Sequence, residues 1–175
     1  MAVHGRVGTA FWWALLILVG GLALPWSRQG ANVLAYDAAR TGLRLLGQAW
    51  PIALAFALAA ALLLLGRQPV PARATGRAML GLAALGAAVT LAQLFMRGEP
   101  FGLGAIIVFL GFVSIAGISL SYSGWLRVEP FAGGAILWLA VFIAVFILYP
   151  LGAMLVTSVW VRGEFTLDVF RQTLR

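Results

Sequence analysis

Few side chains in this sequence could do chemistry, and they lie far apart. The only histidine is His4, close to the N-terminus. There is no cysteine, which rules out a disulfide framework, thiol catalysis and a thiolate metal site. One imidazole is no metal centre either, because metal ions are held by three or four converging ligands. Hydroxyls gather only at Ser114, Ser119, Ser121, Tyr122 and Ser123. A serine nucleophile needs a base within hydrogen-bond reach, and no histidine or acid stands near these in sequence. Their bland role is packing, by bonding to a carbonyl one turn earlier or to a neighbouring helix; the sharper one is contact with a transported substrate. Glu99 and Glu129 could pair as acid and base only if the fold brought them together. No Gly-x-x-x-x-Gly-Lys-[Ser/Thr] loop is present to cradle a nucleotide. We therefore expect no enzyme, with no catalytic, cofactor-binding or metal-binding residue.

The elements that must hold these residues follow from composition. Hydrophobic residues make up 63% of the 175 positions and charged ones 10%, where a water-facing domain carries about 25%. The charges are clustered, and the stretches between them are long enough to cross a hydrocarbon layer about 30 Å thick as helices. Backbone groups in lipid must be paired within the segment or in a closed barrel, and these continuous apolar runs do not alternate as barrel strands do. The expected fold is all-α: one membrane domain over 1–175, a bundle of about five transmembrane helices plus a short interfacial amphipathic helix. Spans are predicted at about 9–26, 49–66, 78–96, 102–123 and 131–157, with an extramembrane tail over 158–175. None holds an ionisable residue in its interior, which argues against a self-sufficient pump.

All twelve basic residues are arginines, facing five acids for a formal charge of +7. They sit at the ends of apolar runs, so the partner they imply is membrane lipid rather than nucleic acid. Trp12, Trp13 and Trp26 bracket the first span as interfacial anchors. An amphipathic helix over about 32–48 carries Asp37, Arg40, Thr41, Arg44 and Gln48 along one side. Trp50-Pro51 opens the second span, in which Ala53, Ala57 and Ala61 allow close helix approach; Ala83 and Ala87 do the same in the third. Between these spans, Arg67, Arg73 and Arg77 stand in a stretch with no acid and two prolines. They are the topology-setting residues of the best cytoplasmic loop.

Arg-x-Glu-Pro-Phe-x-x-Gly-Ala-Ile occurs twice, from Arg97 and from Arg127, each time ahead of an apolar run. A glutamate meets the positive end of a helix dipole there, and a proline fits the first turn. One crossing separates the copies, so they face opposite sides of the membrane, which keeps Glu99 from Glu129. Convergent helix-start chemistry explains the likeness, and duplication is the other reading.

One stretch, FIAVFILYPLGAMLVTSVWVRGEFTLDVFRQTL from Phe142 to Leu174, resembles the first conserved helix and following external segment of permease subunits in binding-protein-dependent ABC importers, of the iron(III) and polyamine group. The matching positions are Tyr149, Pro150, Leu151, Ser158, Gly163, Phe165, Thr166, Leu167 and Phe170. Pro150 should also kink its helix by removing one ladder bond. The resemblance implies solute import, with ferric iron as one candidate cargo. It also implies partners: further permease helices or subunits, an ATPase subunit and a solute-binding protein. The Glu-Ala-Ala segment through which such permeases couple to their ATPase has no match here, which suggests the leading part of a longer permease, with four helices ahead of the first conserved one.

The family's orientation puts the chain in a bacterial inner membrane with its N-terminus cytoplasmic. Arg6, Arg67, Arg73, Arg77 and Arg127 then lie inside and seven arginines outside, an excess opposite to the usual trend. The competing expectation is a free-standing helical accessory or assembly protein working through its alanine and glycine faces.

Overall fold

The structure is a computed structural model that describes residues 8–27, 41–47, 49–68, 70–97, 102–148, 150–152, 154, 160–161 and 164–165. It is helical, with α1 at Thr9–Ala23, a single turn α2 at Gly42–Leu45, α3 at Trp50–Leu65, α4 at Arg73–Arg97, α5 at Leu103–Tyr122 and α6 at Pro130–Ile143. Among the described residues, three helical stretches are long and apolar enough to cross a membrane: Arg73–Gln93, Leu103–Tyr122 and Pro130–Gly152. The chain forms two compact units, Met1–Leu137 and Trp138–Arg175.

In the first unit α1, α3, α4 and α5 pack as an antiparallel bundle, each touching two neighbours in the ring α1–α3–α4–α5. Close approaches at glycine fix the directions. Along α1 and α5, Leu24 meets Gly104, Gly20 meets Ile107 and Ile17 meets Gly111, in opposite order along the two chains. Between α4 and α5, Gly76 lies on the Tyr122–Ser123 backbone and Gly86 on the Phe112 ring. Small residues let backbones approach where lipid offers no hydrophobic drive to hold helices together. The side chains that fill the space between are apolar and fully buried: Ile17, Ile52, Leu62, Met79, Val108, Phe112 and Ile115.

α5 is the central element, with every residue from Gly111 to Ser119 buried. That suits a helix apolar all round. The start of α6 crosses it where Gly117 faces Gly133 and Gly134. On α3 the buried line is Ile52, Ala55, Phe56, Ala59 and Leu62, so the Ala53, Ala57, Ala61 stripe is partly or fully exposed instead. An evenly apolar helix gives sequence periodicity nothing by which to choose a face. Ala83, by contrast, is buried and Ala87 packs against the core, as expected.

Helix ends differ from the spans in instructive ways. α1 has 15 residues and α3 has 16, or roughly 22–24 Å of helix. α1 stops because Leu24, ahead of Pro25, is driven to extended backbone. The segment after it then accepts bonds from the start of α5, Gly102 N–H to Trp26 O and Gly104 N–H to Pro25 O. That ladder holds Gly102 extended, so α5 begins at Leu103; Glu99 and Pro100 lie outside the described residues. In the second copy of the repeat Pro130 does open the helix, and Glu129 O accepts from Gly133 N–H. The arginine-rich loop is also shorter than expected. Helix resumes at Arg73, directly after Pro71 and Ala72, so Arg73 and Arg77 belong to the first two turns of α4. A proline blocks the helix before it, not after it.

Of the predicted interfacial helix over 32–48, residues 32–40 and Gln48 lie outside the described residues, and the remainder holds the turn α2. In the second unit α6 continues as a π-helical stretch, Ala144–Leu148, with Phe142 and Phe146 rings 4.6 Å apart. A two-residue antiparallel ladder pairs Trp160 with Phe165 and Val161 with Glu164.

Candidate functional site

Polar side chains inside the bundle are few, and among the described residues every buried one is neutral. Ser114 Oγ donates to Leu110 O at 2.9 Å and Thr90 Oγ1 to Gly86 O at 2.8 Å, the carbonyls one turn back. Trp26 is buried rather than interfacial. Its Nε1–H donates to Gln93 Oε1 at 2.7 Å, and its ring lies 5.6 Å from that of Phe56. Gln93 Nε2 and Ser119 Oγ are buried with no partner among the described residues. They belong to opposite ends of the antiparallel α4–α5 pair and form no common site. No group of three metal-ligating side chains occurs among the described residues.

The chemistry collects at one end of α4 and α5. A cleft of about 360 Å³ is bounded there by Arg73 and Arg77 of α4, by Ser121, Tyr122 and Ser123 at the end of α5, and by Trp125 and Arg127 of the loop that follows. Each part has a local cause. Gly76 lets α4 rest directly on the backbone of Tyr122 and Ser123; a Cβ there would stand 2.7 Å from the Tyr122 carbonyl carbon. Arg73 and Arg77, one turn before Gly76 and one residue after it, are thereby carried to the loop. Gly124 turns the chain out of α5 with φ +80°, a conformation that favours glycine. Its N–H donates to Ser121 O at 3.1 Å, and Leu126 N–H donates to Leu120 O at 3.2 Å. Ser123 Oγ donates to Leu120 O at 2.8 Å and accepts from Trp125 N–H at 3.4 Å. Ser121 Oγ donates to Glu129 O at 3.3 Å, tying the loop to the start of α6.

Three arginines, two from α4 and one from a loop held by its own hydrogen bonds, therefore line one cleft. Glu129, the only acid among the described residues of this unit, does not line the cleft. The amides that open α4 point toward the same end, where the first turn has no intrahelical acceptors. Of the serine cluster, then, Ser121 and Ser123 build the rim of this cleft while Ser114 and Ser119 are interior. Sequence reasoning put Arg73 and Arg77 on one membrane face with Arg127 but did not join them. The missing signal was Gly76, whose role depends on a partner 46 residues away.

Of the permease-like residues, Pro150 and Leu151 lie in the helical continuation beyond the π-helical stretch and Phe165 in the short ladder. Tyr149, Ser158, Gly163, Thr166, Leu167 and Phe170 lie outside the described residues. Arg67 is exposed in the turn after α3. Compared with protein-family models, with curated proteins and with solved structures, the chain matches none.

Proposed function

We propose that this chain is the membrane-embedded scaffold of an ABC import permease, in which α1, α3, α4 and α5 form an accessory bundle and α6 leads into the transport core. The observation that carries this reading is a contrast in burial. In α5, 67% of the most apolar window is buried, whereas in the Pro130–Gly152 stretch only 6% is. The described part of the stretch that resembles an importer permease begins within it, and Phe142, Phe146 and Leu148 there are exposed. A bundle closed by Phe112, Met79 and Leu62 supports a role in assembly rather than conduction. Solute, ATPase and binding protein belong to the same proposal, with ferric iron as one candidate cargo.

The proposal includes five crossings. α1 and α3 are short, but α1 runs beside α5 from Leu24 at Gly104 to Ile17 at Gly111, a register that carries Thr9 to about the level of Ser119. Helices packed side by side along a spanning neighbour share its depth. The short pair then crosses with help from the extended Leu24–Trp26 segment and from local thinning of the bilayer.

The chain has no cysteine, so single cysteines bearing a photoreactive maleimide can be placed on α6 alone. With Ile136→Cys and Leu139→Cys, both exposed positions, irradiation of native membranes is expected to give adducts with permease helices in a complex that retains an ATPase. Adducts with a protein unrelated to ABC components would replace this reading with that of a free-standing accessory protein.

A further inference from the structure

We propose that the cleft formed by Arg73, Arg77 and Arg127 binds a phosphate anion, and that its surroundings favour the headgroup of an anionic phospholipid as the source. This rests on the chain being embedded in a membrane, and not on its being a permease.

The first observation is the charge. Three arginines line one cleft with no acidic residue among its lining residues, and guanidinium is the group best shaped to grip phosphate with paired hydrogen bonds. The second is preorganisation. Arg73 lies across Gly124, its Nε 3.5 Å from where a Cβ would stand, and the loop bearing Arg127 is tied by bonds from Leu126, Trp125 and Ser121. The third is depth. Tyr122 and Trp125 share the cleft, and Trp125 is 71% exposed, as expected of aromatic side chains at the level of lipid headgroups.

The fourth observation separates a lipid from a free ion. Below Arg77 on α4 runs an exposed apolar track at helical spacing: Ala78, Gly81, Ala84, Leu85 and Ala88. Gly81 has no atom within 4 Å of its Cβ position. A headgroup in the cleft would have its acyl chains directed along this track. Inorganic phosphate has no use for it. Basic pockets at helix ends on one membrane face are suited to such headgroups.

The test uses the full chain in nanodiscs made from equal amounts of phosphatidylcholine, phosphatidylglycerol and cardiolipin, followed by detergent extraction and quantification of the lipid retained. The two anionic lipids should be enriched over phosphatidylcholine. Arg77→Gln and Arg127→Gln should each reduce that enrichment about fivefold, while Arg67→Gln, exposed but outside the cleft, should leave it unchanged. Thermal melting of Arg127→Gln, a loop substitution, should match the parent, so that lost binding is not lost folding. In a parallel arm, radiolabelled orthophosphate is dialysed against the protein in pure phosphatidylcholine nanodiscs. Saturable binding that Arg127→Gln abolishes would retain the phosphate site and assign it to a soluble ion. Enrichment blind to headgroup charge together with no orthophosphate binding, or an equal loss with Arg67→Gln, would overturn the proposal.

Discussion

At Gly117 and Gly134 two helix backbones meet with nothing between them. A Cβ on Gly117 would stand 2.7 Å from Gly134 Cα and 3.2 Å from Gly133 O, atoms that cannot yield without moving a helix. Gly81 on α4 faces open space. Gly117→Ala should therefore destabilise the protein by about 1–3 kcal/mol. Gly81→Ala should be neutral or stabilising by up to about 1 kcal/mol, because alanine favours helix and has nothing to strike. Unfolding in mixed detergent micelles measures both; equal losses would contradict the α5–α6 contact. None of this was legible from the sequence. Its 21 glycines look alike in a linear reading, and what separates Gly117 from Gly81 is the identity of a distant neighbour. The same holds for Trp26. Placed next to Pro25 at the end of a span it reads as an interfacial anchor, and its partner Gln93 is 67 residues away.

Local patterns foretold the elements better. Apolar runs bounded by arginine, proline and glycine predicted five helical spans, and the starts at Trp50 and Pro130 fall within a residue of expectation. The start of α5 falls equally close, set by a ladder to Pro25 and Trp26 that keeps Gly102 extended, whereas α4 begins five residues early, at Arg73, because nothing after Pro71 opposes helix. Just ahead of Pro150 stand five π-helical residues, Ala144–Leu148. Proline at 150 supplies no N–H for the carbonyl of Phe146, and a widened turn is one way for the preceding carbonyls to find other donors. Pro150→Ala restores a donor and removes the ring, so the stretch should revert to regular α-helix. Amide exchange across residues 144–148 should slow about fivefold, in line with roughly 1 kcal/mol for a regained hydrogen bond. Unchanged exchange would assign the π-helical turn to something other than the proline.

For the molecule as a whole, 10% charge leaves too little polar surface for a water-facing domain, and apolar runs that do not alternate point to helices, as the described residues show. Composition did not fix which helices span by length. Three qualify, and Thr9–Ala23 and Trp50–Leu65 are apolar but shorter. Their ends are nonetheless sorted by the antiparallel packing. Gly66 and Gln68 touch the start of α1, while Gly42 touches Gly21 near its end. Arg67 and Trp125 therefore belong to one end of the bundle, and Leu43 and Trp50 to the other. All four are exposed, and a chain without cysteine accepts a single reporter at each. Labelling of Arg67→Cys, Leu43→Cys, Trp50→Cys and Trp125→Cys by a membrane-impermeant maleimide, in sealed right-side-out and inverted vesicles, is the most direct measurement. Cysteines at 67 and 125 should react from one side only and those at 43 and 50 from the other. Reaction of all four from both sides, or release of the protein from vesicles by alkaline carbonate without detergent, would contradict a membrane-spanning bundle.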